Sequence, residues 1–342
     1  MTPQVLRKKL SALRFLIIWI FRRSSLEITR LLLLSIPLRS HILLSYNQGP
    51  VPDGLGAQIQ RMVALNALGA YLQVKVIHTD ILEVAIHPMD NITEAGYQDM
   101  LIEIKTLLST KDESEFNNFL KYQVKDLRSK HFLVALFKSI VNKKMVNLSI
   151  RDSYFLVDSK PAIYKKGISS EMKQYLRSLA DSDFSEFIAL HHRHGVGNMA
   201  IQPGQSKPRE IDMRKYINPL RQALVANNKN EIVIFTDAPE TDLEFSPSLD
   251  QARLWEGLPQ FDGERMKISA GQFKELESEF PNRIRIVRGG NPLKTLANLS
   301  TAGSIILSRS SFGYLAALFA SHDSVWIPSD FWHPKHKYWK QY

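Results

Sequence analysis

From residue 41 to the C-terminus, short apolar runs alternate with stretches of helical period, and this alternation constrains the fold more than any other feature. His41–Tyr46 reads as a buried strand, "NQGPVPDGLG" supplies turn residues, and Gln58–Leu72 sets Ile59, Met62, Val63, Asn66, Ala67 and Ala70 at helical spacing. A second strand, Val74–His78, follows. Strand, glycine loop, helix and strand in that order are the local signature of a doubly wound α/β domain. The middle, about 93–145, reads as helical, with apolar stripes in "TEAGYQDMLIEIKTLL" and "LRSKHFLVALFKSIV". The polar stretch 165–185 reads as a boundary. Beyond it, strands at Phe187–His192, Glu231–Phe235, Arg283–Val287, Ser304–Leu307 and Ser324–Ile327 alternate with helices at about 212–227, 270–279, 292–300 and 312–320.

A length of 342 residues fits about two domains at roughly 150 residues each. The expected architecture is therefore α/β, with two Rossmann-like domains facing across a cleft, residues 41–182 and 183–342, behind an N-terminal segment 1–40. Apolar residues at 44% and charged residues at 23%, with no sustained repeat, exclude a disordered or solenoid chain. There is no cysteine, which excludes a disulfide framework, a thiolate metal site and a cysteine nucleophile together.

The net charge of +10 is unevenly placed. Residues 1–45 carry Arg7, Lys8, Lys9, Arg14, Arg22, Arg23, Arg30 and Arg39 against Glu27, which is +7 of the total and leaves +3 for the body. A general nucleic-acid partner loses its support, because the basicity belongs to a tail. That tail has two apolar runs, Phe15–Phe21 and Leu31–Leu34, both far short of the ~20 residues of a spanning helix. Arg22 and Arg23 stand where a cleavable signal would place small residues. The segment reads either as an amphipathic helix in an anionic membrane interface, with Trp19 at headgroup depth, or as a basic helix packed on the body or a partner. The expected location is cytoplasmic, with peripheral contact at the membrane face.

In open α/β sheets, ligands bind beyond the carboxyl ends of strands. Four stretches fall there: Asp53–Gly56, His191–Gly195, Thr236–Asp237 and Ser308–Phe312. "IALHHRHGV", 188–196, is the densest polar cluster in the chain. On a strand, His191 and Arg193 share one face while His192 and His194 share the other. Arginine suits a phosphate because its planar fork donates two parallel hydrogen bonds and stays charged. An anion clamp is the favoured reading, and a metal held by His192 and His194 with a remote carboxylate is a weaker one. The bland alternative is that Arg193 pairs with an acidic neighbour while the histidines are buried and satisfied. In "LSRSSFGYLAALFA", Ser308, Ser310 and Ser311 either cap the following helix or seat a phosphate at its N-terminus.

Taken in order, "DGLGAQIQRM", "IALHHRHG", "IFTD" and "LSTAGSIILSRSSFGYLAAL" resemble the fucosyltransferase superfamily of alpha-1,2, alpha-1,6 and protein O-fucosyltransferases. The resemblance spans about residues 45–320 and is greatest to the bacterial alpha-1,2 branch, glycosyltransferase family 11 in type. It implies a GT-B-like fold and an inverting transfer of fucose from GDP-fucose to a glycan hydroxyl, with no metal or other cofactor. The missing D-x-D pair after a strand agrees with metal independence. The implied products are surface polysaccharides or glycolipids.

By this resemblance Arg193 and His191 contact the donor diphosphate, Arg193 stabilising charge on the leaving GDP, with Gly195 beside them. Ser310, Ser311 and Phe312 line the far side of the nucleotide, and Asp237 lies near its ribose or base. Gly54 and Gly56 let the first loop close over the sugar, and Gln58 completes that loop's donor-binding motif. Two positions depart from the pattern: the loop asparagine is Ala57, and the aspartate after H-x-R-x-G is Val196. The general base is left to Asp53 or His194. A second reading keeps the fold without turnover, as a nucleotide-sugar or glycan-binding protein.

Overall fold

Each half of the chain builds a parallel sheet. The computed structural model describes residues 26–27, 30–31, 41–46, 54–77, 93–108, 119–126, 129–158, 160–181, 184–194, 211–227, 231–246, 262–268, 270, 273–322 and 324–342. Nearly all of the basic N-terminal segment, the nominated base Asp53, and Gly195 and Val196 lie outside the described residues. The described residues fall into two compact units, drawn from 1–53, 58–83 and 98–172 and from 54–57, 84–97 and 173–342.

In chain order, the first half runs β1 (Ile42–Tyr46), α1 (Leu55–Leu72), β2 (Lys75–Ile77), α2 (Glu94–Leu108), β3 (Leu120–Asp126), α3 (Ser129–Asn142), β4 (Val146–Asp152), α4 (Tyr154–Asp158) and α5 (Ser170–Leu179). Its strands form one parallel sheet in the order β2-β1-β4-β3. β1 is buried along its whole length because strands flank it on both sides, and Ser45 answers its own burial by donating to Asn147 Oδ1 at 2.8 Å.

The region read as helical, 93–145, thus also contains β3, and β4 follows directly after it. β3, LKYQVKD, is an edge strand whose Lys121 and Gln123 face solvent, so it offers no apolar run to read. In β4, Val146, Leu148 and Ile150 alternate with polar residues and are buried. The polar stretch 165–185 likewise holds α5, whose buried stripe is only Met172 and Leu176.

The second half runs β5 (Phe187–His192), α6 (Arg214–Asn227), β6 (Glu231–Thr236), β7 (Leu243–Phe245), β8 (Met266–Ile268), α7 (Lys274–Glu279), β9 (Ile284–Arg288), α8 (Pro292–Thr301), β10 (Ser304–Leu307), α9 (Ser311–Phe319), β11 (Val325–Ile327) and β12 (Lys340–Gln341). Six strands make a parallel sheet in the order β12-β11-β10-β5-β6-β9, and β7 and β8 pair antiparallel apart from it. β5, β6 and β10 are near-continuous apolar runs because helices cover the sheet, and Ile188, Leu190, Ile232, Ile234 and Ile306 pack with Tyr216, Leu220 and Trp326 in one core. The fold is α/β with two parallel sheets, as the alternation of strands and helices predicts.

The topology singles out β5. From β5 the chain moves to β6 and β9 on one side, then returns to β10, β11 and β12 on the other, so strand order reverses there. Ligands of open α/β sheets bind at such reversals, beyond the carboxyl ends of the strands. His191 and His192 end β5, Thr236 ends β6 and Leu307 ends β10.

Candidate functional site

Ser308, the first residue after β10, ties the reversal together. Its backbone N–H donates to His191 O at 3.0 Å, its Oγ accepts from the Arg193 N–H at 3.2 Å, and the same Oγ lies 3.0 Å from His191 Nδ1. Burial pushes the His191 pKa down to about 3, which outweighs the nearby Asp237 charge, so the ring is neutral near pH 7. Ser308 already accepts one bond, and its hydroxyl proton can then donate to Nδ1. We assign the ring proton to Nε2 on that basis.

Backbone packing also fixes the ring. A Cβ placed on Gly313 would lie 3.0 Å from His191 Nδ1 and 3.3 Å from its Cγ, so any larger residue would press on the ring. The Phe312 ring leans on the imidazole with centroids 5.6 Å apart. A Cβ on Gly56 would sit 2.7 Å from both Cα and Cβ of Phe312, so this glycine, in the first turn of α1, packs directly on the phenylalanine of the S-S-F motif. The sequence-predicted Gly56, His191 and Phe312 are thus neighbours.

Arg193 is about one-third exposed, and its Nη1 is 2.6 Å from Asp237 Oδ2. The other oxygen of Asp237 accepts from the His194 N–H at 2.5 Å. Asp237 thus pairs with Arg193 and holds the backbone of His194 just beyond the end of β5. The pairing of Arg193 with an acidic neighbour, foreseen as the bland alternative, is present. A guanidinium has five N–H donors, so one ion pair orients the fork without exhausting it. Arg288, at the end of β9, holds the loop after β6 by donating to Ala238 O at 2.9 Å and Pro239 O at 3.3 Å.

α9 starts where its sequence suggests. Ser310 is its N-cap, in extended conformation, and its Oγ accepts from the Phe312 N–H at 3.2 Å. Ser311 Oγ is 3.2 Å from His333 Nε2. Ser310 thus fills the capping role, and the N-terminus of α9 follows closely on β10.

His192 and His194 do share a side, with ring centroids 6.1 Å apart. His192, however, is a core residue, edge-on to Tyr216 and Phe273 at 5.9 and 5.6 Å. Among the described residues, no three His, Asp or Glu side chains converge as a metal would need. Gln58 is fully buried in the first unit, where its Oε1 accepts from the Tyr46 hydroxyl, and Gly54 precedes α1.

The C-terminal stretch reads in the sequence as leaning on the acceptor cleft, packing on the first domain or frayed, and the structure instead packs it beside α9. "DFWHPKHKYWKQY" packs on its own unit: Asp330 receives Arg309 Nε at 3.0 Å and Nη2 at 2.8 Å, and Tyr314 stacks on His333 at 4.5 Å while donating to Pro334 O at 3.1 Å. β12 pairs with β11, and the buried Tyr342 hydroxyl donates to Leu307 O. Burial, with Tyr216 adding, raises that phenol well above its ordinary pKa. The available signal was the density of histidine and aromatic residues, which does not reveal its partner.

The chain is similar to several solved structures. One is POFUT1 in complex with GDP, at 9% identity and a TM-score of 0.41, covering 88% of this chain and 97% of that one. Others are the E. coli heptosyltransferase WaaC with ADP, at 11% identity, a TM-score of 0.38 and coverage of 88% and 92%, and the NodZ alpha-1,6-fucosyltransferase soaked with GDP-fucose, at 9%, 0.36, and 82% and 93%. No protein-family model and no curated protein matches the chain.

Proposed function

We propose that this protein is an inverting, metal-independent glycosyltransferase that moves fucose from GDP-fucose to a glycan hydroxyl, in the manner of the alpha-1,2-fucosyltransferases, in surface polysaccharide or glycolipid synthesis. The observation that carries the reading is the gathering of His191, Arg193, Gly56 and the N-terminus of α9 around the strand reversal at β5. In such a transfer the acceptor oxygen attacks the anomeric carbon as the nucleoside diphosphate departs, and negative charge grows on the phosphates. Arg193 and the first-turn N–H groups of α9 supply fixed positive potential where that charge develops. Asp237 keeps the guanidinium oriented, and neutral His191 offers Nε2–H as an uncharged donor to the diphosphate.

The acceptor hydroxyl must lose its proton, and Asp53 in the glycine loop is the carboxylate this reading nominates. The basic N-terminal segment would hold the enzyme at the membrane where lipid-linked or surface glycans are built.

The test is turnover. GDP-fucose is incubated with the full-length protein and a panel of glycan acceptors, with and without chelator. The reading expects fucosylated product, release of GDP and no effect of the chelator. Tight GDP binding with neither transfer nor donor hydrolysis across the panel would replace it with a non-catalytic nucleotide-sugar-binding protein.

A further inference from the structure

α3 is apolar on two sides. Phe132, Ala135, Leu136 and Ser139 are buried under it, whereas Val134, Phe137, Ile140 and Val141 are 37%, 68%, 57% and 60% exposed. Residues 134, 137 and 141 follow helical spacing, so the exposed side chains form one stripe with Ile140 at its border. Single exposed apolar residues need no explanation, but a contiguous stripe marks a contact surface.

Charge identifies the contact. From Arg128 through Arg151, ends included, the sequence carries six Lys or Arg and no Asp or Glu. Lys143 and Lys144 are exposed directly after the helix, and the Lys138 ammonium lies 4.0 Å from the centre of the Tyr122 ring. A second copy of the chain fits poorly, because a two-fold contact would set this all-basic segment against itself. The helix has 14 residues, too few to span a bilayer, and among the described residues no helix is long and apolar enough to cross one.

We propose that the outer face of α3 lies in the interface of an anionic bilayer. Phe137, Ile140 and Val141 enter the boundary between headgroups and acyl chains, while Lys143 and Lys144 meet the lipid phosphates. This surface belongs to the folded first unit and stands independently of the N-terminal segment and of the proposed transfer reaction.

Full-length protein is sedimented with vesicles of phosphatidylcholine alone or with one-third phosphatidylglycerol. Two double variants, Phe137→Ser with Val141→Ser and Lys143→Glu with Lys144→Glu, are compared with the parent after circular dichroism shows equal folding. The parent binds the anionic vesicles, and each double variant binds them roughly tenfold or more weakly. Unchanged binding by both variants overturns the proposal, since the contact then lies elsewhere in the chain. Equal binding of the parent to neutral vesicles, or none to either kind, also overturns it. So does a parent that sediments as a dimer while the serine variant is monomeric, because the stripe would then be a protein contact.

Discussion

Arg193 is about one-third exposed, and its task differs from that of the buried imidazole beside it. Removing a donor aimed at developing charge costs about 3 to 4 kcal/mol of barrier, so Arg193→Ala is expected to slow transfer ~100- to 1,000-fold in a steady-state assay. His191 works as a neutral group. Its folded pKa is about 3 against 6.5 for an ordinary histidine, so above pH 6.5 neither state holds the extra proton. Below that, the unfolded chain binds a proton that the folded chain refuses. Stability therefore falls as pH drops from 6.5 toward 3, by up to about 1.4 kcal/mol per pH unit. Denaturant unfolding over that range should show this slope in the parent and a shallower one in His191→Gln. Gly313→Ala drives a methyl into the same ring and is expected to lower stability by about 1 to 3 kcal/mol, measured as a lower midpoint in thermal unfolding.

Elements carry these residues to one place, and their legibility follows how each is buried. β5, β6 and β10 were plain in the sequence because covered parallel strands are continuous apolar runs. β3 was not, because an open edge admits lysine and glutamine, and α5 shows only two buried positions. His191, Arg193, Ser310, Ser311 and Phe312 were legible as candidates because they stand at strand ends or open a helix. The partnership of Arg193 with Asp237 could not, since it joins turns after neighbouring strands that are 44 residues apart. The clamp of Asp330 on Arg309 is another such contact. Arg309 is only 6% exposed, so Asp330→Ala removes the carboxylate facing a buried charge and should cost about 3 to 5 kcal/mol, read as a lower unfolding midpoint with α9 loosened.

At the scale of the whole molecule, two parallel-sheet units share one chain, and the chemistry read here gathers in the second, at β5. The central claim is that this place binds the diphosphate of a nucleotide sugar. A ligand that binds only the folded state raises the unfolding midpoint in proportion to ln(1 + [L]/Kd). Thermal unfolding of the parent and of Arg193→Ala is therefore followed with GDP, UDP, ADP, CMP and their sugars. The account predicts that GDP and GDP-fucose raise the parent's midpoint, and that the rise is lost in Arg193→Ala. No rise with any nucleotide, or an equal rise in the variant, would contradict it.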